Sequence, residues 1–408
     1  MIRAITLGVP DINQSPDVIE SAIMQFNTIS NKWLLEQQWS LRTSRLTLAT
    51  LRQQHEDEAW ALPAQLASVS KIADRAGIRW FCLPIDLVHG MHYDQRLEAA
   101  YASLFKQSKM FLNLMVADRG EISINASHDA ARFMLNVARK SNNGFDNFRV
   151  GASCCCLPNA PFFPFSRHEG ENYKFSFALE TTEIALKLSK YVQNGKILLN
   201  DFSDFLVERL ISRMNEIDEF GKSLESETGF EYAGLDASFA PYPDGKVSVG
   251  ALLQQLGARP GGSQGSLFIT SILTNAIKKA AKLSDARLTG FNGVMFSVLE
   301  DDALASTNNR RMLSIDTLNA WSTVCGCGLD MIPIPGSTLA EDISAIILDT
   351  SALSVRLKKP LGVRLLPIPG KEANEFTEFN FDFLCNSRVM QIEKNDVCLP
   401  SINGRWVY

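Results

Sequence analysis

The sequence contains no run of about 18 apolar residues, the length a membrane span requires, so none of it reads as an integral membrane segment. It also has no block of like charge. Forty Lys plus Arg stand against forty-five Asp plus Glu, a formal net charge of −5, which offers no obvious surface to duplex nucleic acid or an anionic membrane. Cysteine is sparse. There are eight in 408 residues, and Cys154, Cys155 and Cys156 are adjacent, where neighbouring thiols meet disulfide geometry poorly. The opening MIRAITLGVPD reaches Pro10 after about seven mostly apolar residues, too few for a signal-peptide core. These absences predict a cytoplasmic chain with reduced thiols and a small-molecule partner, with no nucleic acid and no membrane. Assembly as a homodimer stays open.

The composition is ordinary globular material, 46% hydrophobic and 21% charged, enough for a large core. Short β-type runs alternate with amphipathic helical runs along the whole length, the pattern of an α/β fold. Strands are predicted at Ile2 to Val9, Leu41 to Thr50, Ile78 to Ile85, Met110 to Val116, Phe148 to Cys154, Glu231 to Asp236, Gly293 to Leu299, Leu329 to Ile334 and Leu361 to Ile368. A helical insertion occupies about 180–228, broken at Asn194-Gly195. No Gly/Ser/Pro-rich linker divides the halves, so residues 1–408 read as one domain closed into a barrel rather than two tethered units.

The distinctive residues lie where predicted strands end, the position from which α/β folds present active groups. Pro158 to Phe165 packs three prolines and three phenylalanines into eight residues, with Phe162 and Phe163 as an apolar wall. Arg167, His168 and Glu169 follow, an anion binder, a base and a carboxylate; a rigid packing loop is the competing reading. Asp236 closes a strand and reads either as a general base or cation ligand, or as a turn aspartate. Arg259, Gly261, Gly262, Ser263 and Ser266 open into a helix and offer backbone N–H groups to a carboxylate or phosphate, against a plain turn. This is neither a P-loop nor a dinucleotide fingerprint, and no flavin or haem motif occurs elsewhere. Glu300, Asp301 and Asp302 form an acidic strand end, Cys325-Gly-Cys327 and Asp330 follow, and Lys371 adds positive charge beyond the last clear strand.

Several of these runs resemble one uncharacterised family, the domain of unknown function 711. They are IRAITLGV, PNAPFFPFSRHEG, GLDASFAPYP, MFSVLEDDALA, CGCGLDMIPIPG, and DISAIILDTSALSVRLKKPLGVRLLPIPGK with TEFNF behind it. The resemblance covers nearly the whole chain. It implies a ten-stranded α/β barrel of the pyruvate formate-lyase and ribonucleotide reductase type, and pocket roles for His168, Glu169, Asp236, Glu300, Asp301, Cys325 and Asp330. Members usually carry a small or hydroxylated residue where this chain has Cys327, which favours Cys325 over the pair. The glycyl-radical loop is missing, because Asn403-Gly404-Arg405-Trp406 places arginine after the glycine.

The expectation is a non-radical enzyme of the hydrolase, lyase or isomerase type, acting by acid/base chemistry on a small anionic metabolite inside the barrel. His168, Glu169, Asp236, Glu300 and Cys325 are its candidate catalytic residues. Phe162, Phe163, Arg167, Arg259, Gly261, Gly262, Ser263, Ser266 and Lys371 are candidates for binding. A divalent cation, Mg or Ca, could sit among Asp236, Glu300, Asp301 and Asp330. The reading from another class is a non-catalytic ligand-binding or regulatory protein.

Overall fold

The computed structural model describes residues 1–52, 61–89, 95–393 and 404–408. Cys398 of the eight cysteines, and Asn403 of the C-terminal glycine motif, lie outside the described residues. The chain is a mixed α/β protein built on one large sheet. In chain order the strands are β1 (Ile2–Val9), β2 (Leu41–Leu48), β3 (Trp80–Asp86), β4 (Met110–Asp118), β5 (Glu121–Ser123) and β6 (Val150–Cys154). They continue as β7 (Lys174–Leu179), β8 (Glu231–Asp236), β9 (Gly328–Pro335), β10 (Leu361–Ile368) and β11 (Arg405–Val407).

The main path runs β8-β7-β1-β2-β3-β4-β6-β10-β9. Strands β1, β2, β3, β4 and β6 are mutually parallel; β7 joins β1, and β10 joins β6, in the antiparallel sense. The parallel joins are served by helices such as Pro16–Glu36, which Ser15 caps and which buries Ile19, Ile23 and Phe26 against the sheet, as the apolar spacing requires. Two helices, Thr182–Gln193 and Leu199–Thr228, occupy the expected insertion.

Two expectations need correcting. Strand β7 was not anticipated, because Lys174–Leu179 is short and follows a turn-rich stretch, yet it pairs on both edges, with β1 and β8. Residues 293–299 do not form a continuous strand. They run extended, with a parallel bridge from Val294 to Phe239 on one side and from Ser297 to Asp330 on the other, and then turn into a short 3₁₀ segment at Val298–Glu300.

Both faces of the sheet are buried. One packs against the helices through residues such as Leu46, Leu48, Phe81, Leu83, Leu112 and Leu114. The alternate side chains, Cys82 and Phe111 among them, face an interior filled by Phe162, Phe163 and Phe165 of the proline-rich loop. Glycine makes room for that loop: a Cβ on Gly362 would lie 2.3 Å from the Phe165 ring, and one on Gly8 would lie 2.3 Å from the His168 imidazole. No helix among the described residues is long and apolar enough to cross a membrane.

Candidate functional site

The interior face encloses a cavity of about 70 Å³. Its apolar wall includes Phe162, Phe163, Trp80 and Phe291, and its charged groups are Arg3, Arg42, Arg45, Glu300, Asp330 and Arg364. The Cys327 thiol also lines it.

Arg45 comes from the middle of β2. Alternation along that strand sends Leu46 and Leu48 to the helical side and Thr43, Arg45 and Thr47 inward. The residue is only 8% exposed, and no carboxylate lies within ion-pair distance of its guanidinium among the described residues. Its partners are neutral: Nε donates to Thr43 Oγ1 at 3.0 Å and Nη1 to the Pro161 carbonyl at 3.3 Å. It lies 5.4 Å from the centre of the Trp80 ring and 5.1 Å from that of Phe163. Burial, with the neighbouring Arg3 charge, pulls its pKa down to about 9. A cation in that position is under-compensated and attracts an anion.

Opposite charge is concentrated at a β-bulge. The β9–β10 register passes from Val363 opposite Leu329 to Leu365 opposite Ile332, so Asp330 and Met331 together face Arg364. Met331 adopts φ of 51° there. The extra residue turns Asp330 inward, and Arg364 grips it with Nε to Oδ1 at 2.6 Å and Nη2 to Oδ2 at 2.9 Å. Glu300 is held less tightly by the same guanidinium, at 3.3 and 3.4 Å, and accepts from Ser297 Oγ at 2.7 Å. Although burial opposes it, Asp330 and then Glu300 hold the Arg364 pKa above its usual range.

The two thiols of the Cys-Gly-Cys run differ. Cys327 faces the cavity, whereas Cys325 belongs to the core between sheet and helices. A hydrogen bond from Cys327, aided by the Lys359 ammonium, pulls Cys325 down, and the same contact pushes Cys327 up. Lys359 Nζ also donates to the Ser322 and Cys325 carbonyl oxygens.

Of the anticipated site residues, the structure brings Phe162, Phe163, Glu300 and Asp330 to the cavity. The others do not line it. His168 is strand-like, with its N–H donating to the Leu48 carbonyl and a parallel bridge to Ala49. Its ring packs over Gly8, with Nε2 donating to the Gly170 carbonyl at 3.1 Å and Nδ1 facing the Asn159 amide at 3.2 Å. Burial lowers its pKa to about 4. Arg167 donates to the Cys156 carbonyl and pairs with Glu169 at 2.8 Å, and Glu169 is further shared by Arg52 and Arg119.

Asp236 is the centre of a turn. It accepts from the Ser238 hydroxyl and N–H and from the N–H groups of Phe291 and Asn292, which ties 290–293 to the end of β8. Asp301 caps the helix Asp302–Asn309 and also accepts from Ser248 Oγ, Val249 N–H and Gly250 N–H, fastening a second helix start. With those two carboxylates saturated apart, and Glu300 and Asp330 sharing Arg364, the four proposed metal ligands do not meet. Among the described residues no group of three or more His, Cys, Asp or Glu side chains is placed to hold a metal ion.

The glycine loop is likewise committed internally. Gly262 N–H donates to Ser266 Oγ, the Gly261 carbonyl accepts from Thr307, and a Cβ on Gly261 would lie 2.2 Å from the Gly250 carbonyl oxygen. Ser263 N–H donates to the Pro260 carbonyl, and Arg259 donates to the Gln254 carbonyl. Lys371 pairs with Glu378 at 2.7 Å. Sequence reasoning did not single out three of the cavity's arginines: Arg3 and Arg42, each one residue into its strand, share the Glu180 carboxylate at 3.4 and 3.5 Å, and Arg45 lies in the middle of β2. Along β2 the inward Thr43, Arg45 and Thr47 alternate with Arg42, Ser44, Leu46 and Leu48, so only the second half of the strand has a distinctly apolar face.

Comparison with known proteins fits the motif resemblance. The model of an uncharacterised family, Uncharacterised ACR (DUF711), matches residues 1–382, and the chain belongs to that family. A UPF0210 protein of Pyrobaculum aerophilum is 38% identical over 166 residues, 41% of this chain and 37% of its own length. A UPF0210 protein of Methanocaldococcus jannaschii is 32% identical over 184 residues, 45% of this chain and 40% of its own length. The matched stretches therefore span about two fifths of the length of these curated relatives.

Proposed function

We propose that the chain is an enzyme that transfers protons on a small anionic metabolite held in the interior cavity. The observation that carries this reading is the buried Arg45 guanidinium, without a carboxylate partner among the described residues, in the same cavity as Glu300. In it Arg45 takes the anionic group, Phe162 and Phe163 pack the apolar part, and Glu300, oriented by Ser297 Oγ, gives or takes the proton. Glu300 replaces His168 and Asp236 in that role, since both of those are spent on packing and turn contacts. The chemistry is of the lyase, isomerase or hydrolase type and requires no radical.

The same reading treats the fold as a barrel. The sheet path has nine strands with β8 and β9 as its ends, and the extended residues 293–297 bridge toward both. As a tenth stave they would close the ring around the cavity.

The test is to incubate the full chain with a panel of small carboxylates in deuterated buffer. Proton NMR would follow deuterium wash-in or substrate loss, alongside thermal melting. Glu300→Gln is expected to keep the stabilisation given by simple carboxylates, which Arg45 anchors, while lowering exchange by about 100-fold or more. Arg45→Met is expected to lose both. Ligands that raise the melting temperature with no exchange and no turnover would replace the enzyme by the ligand-binding reading.

A further inference from the structure

The charges around the cavity are not distributed evenly, and the unevenness specifies more than an anion. On one side Arg45 has neutral partners only, and beside it Arg3 and Arg42 share the single carboxylate of Glu180 at 3.4 and 3.5 Å. On the other, two carboxylates share one guanidinium, and Asp330 holds the better part of it, at 2.6 and 2.9 Å against 3.3 and 3.4 Å for Glu300. Glu300 is therefore an acceptor with capacity to spare, its side chain 17% exposed. A single negative ligand would answer Arg45 and leave Glu300 in excess. A ligand carrying both signs answers the two together.

We propose that the cavity takes a compact zwitterion, an α-amino acid or its N-methylated betaine, with the carboxylate on Arg45 and the cationic nitrogen toward Glu300. The inference rests on the reading of this cavity as the ligand site and narrows its ligand class. Arg364 acts as a positioning residue: its grip on Asp330 fixes the bulge and leaves Glu300 turned to the ligand. A cavity of about 70 Å³ suits a small molecule of this kind better than a nucleotide or a sugar phosphate.

Isosteres test the proposal without any mutation. Alanine and isobutyrate have nearly the same shape but differ in charge at nitrogen or carbon, as do glycine betaine and tert-butylacetate. Titration calorimetry on the full chain is expected to show the zwitterion of at least one pair binding about tenfold or more tighter than its carboxylate isostere. The pair that shows this tells a primary ammonium from a quaternary one. Glu300→Gln, which keeps the side-chain shape, is expected to bring the two members within about twofold of each other. If the simple carboxylates bind as tightly as the zwitterions, the zwitterion is overturned and the anion site stands; if Glu300→Gln leaves a preference intact, the placement of the cationic nitrogen at Glu300 is overturned. If no member of either pair binds, both the zwitterion and the reading of the cavity as an anion site fall.

Discussion

Asp301 and Arg45 are both buried charges, 0% and 8% exposed, and the protein treats them in opposite ways. Asp301 accepts five hydrogen bonds, from Ser248 Oγ and the N–H groups of Val249, Gly250, Ala303 and Leu304. Arg45 has two neutral acceptors and two aromatic neighbours. A buried charge with all its hydrogen-bonding capacity met is part of the scaffold, whereas one left short is either a cost or a place for a ligand. The same contrast separates the glycine-rich loop, whose polar groups are met within the scaffold, from the strand interiors, whose charged groups face a cavity.

The largest effect that could break this comparison lies at Asp301. Asp301→Ala would leave the Val249 and Gly250 N–H groups buried without acceptors and remove the cap of Asp302–Asn309. At roughly 1–3 kcal/mol for each unmet donor and about 1 for the cap, a loss of about 4 kcal/mol is expected in denaturant unfolding. A loss below about 1 kcal/mol would mean that the cage is not structural.

His168 provides the next effect, and it appears in pH. Burial keeps the folded imidazole neutral down to about 4, while the unfolded one protonates near the ordinary histidine value of 6.5. Between those values the unfolded chain binds the extra proton, so stability falls as pH drops from about 6.5 toward 4, by up to about 3 kcal/mol. His168→Asn should flatten that part of the stability profile. A catalytic base freely exposed to solvent would show no such slope.

How much of this could be read in the sequence follows from where each residue lies. Strands β1, β8 and β10 were readable from apolar runs with clear stops, and the Phe162/Phe163 wall from composition alone. Asp236 at a strand end was readable only as an alternative between turn and chemistry, because which donors surround it depends on 290–293 folding back, some 55 residues away. Arg45 was not readable. A Thr/Arg/Thr face opposite leucines looks like the solvent side of an amphipathic strand, and only a sheet buried on both faces turns it inward. The bulge that brings Asp330 to Arg364 is likewise a register event between two strands, invisible along either one.

The smallest expected stability effect belongs to Arg45 itself. Arg45→Met removes an uncompensated charge from an apolar surrounding and keeps most of the side-chain volume, so the ligand-free protein should be as stable as before or more stable, by on the order of 1 kcal/mol. Its contacts with Thr43 and Pro161 are to neutral acceptors, each of modest net worth, and the freed Pro161 carbonyl still accepts from Thr6 Oγ1 at 3.2 Å. A scaffold arginine would behave like Asp301, and its removal would lower the melting temperature sharply. An arginine kept for a ligand would leave melting of the free protein intact and abolish only the added stabilisation that small carboxylates confer. Thermal melting of the variant with and without carboxylate separates these outcomes, because a ligand that binds only the folded state adds RT ln(1 + [L]/Kd) and nothing once its anchor is gone.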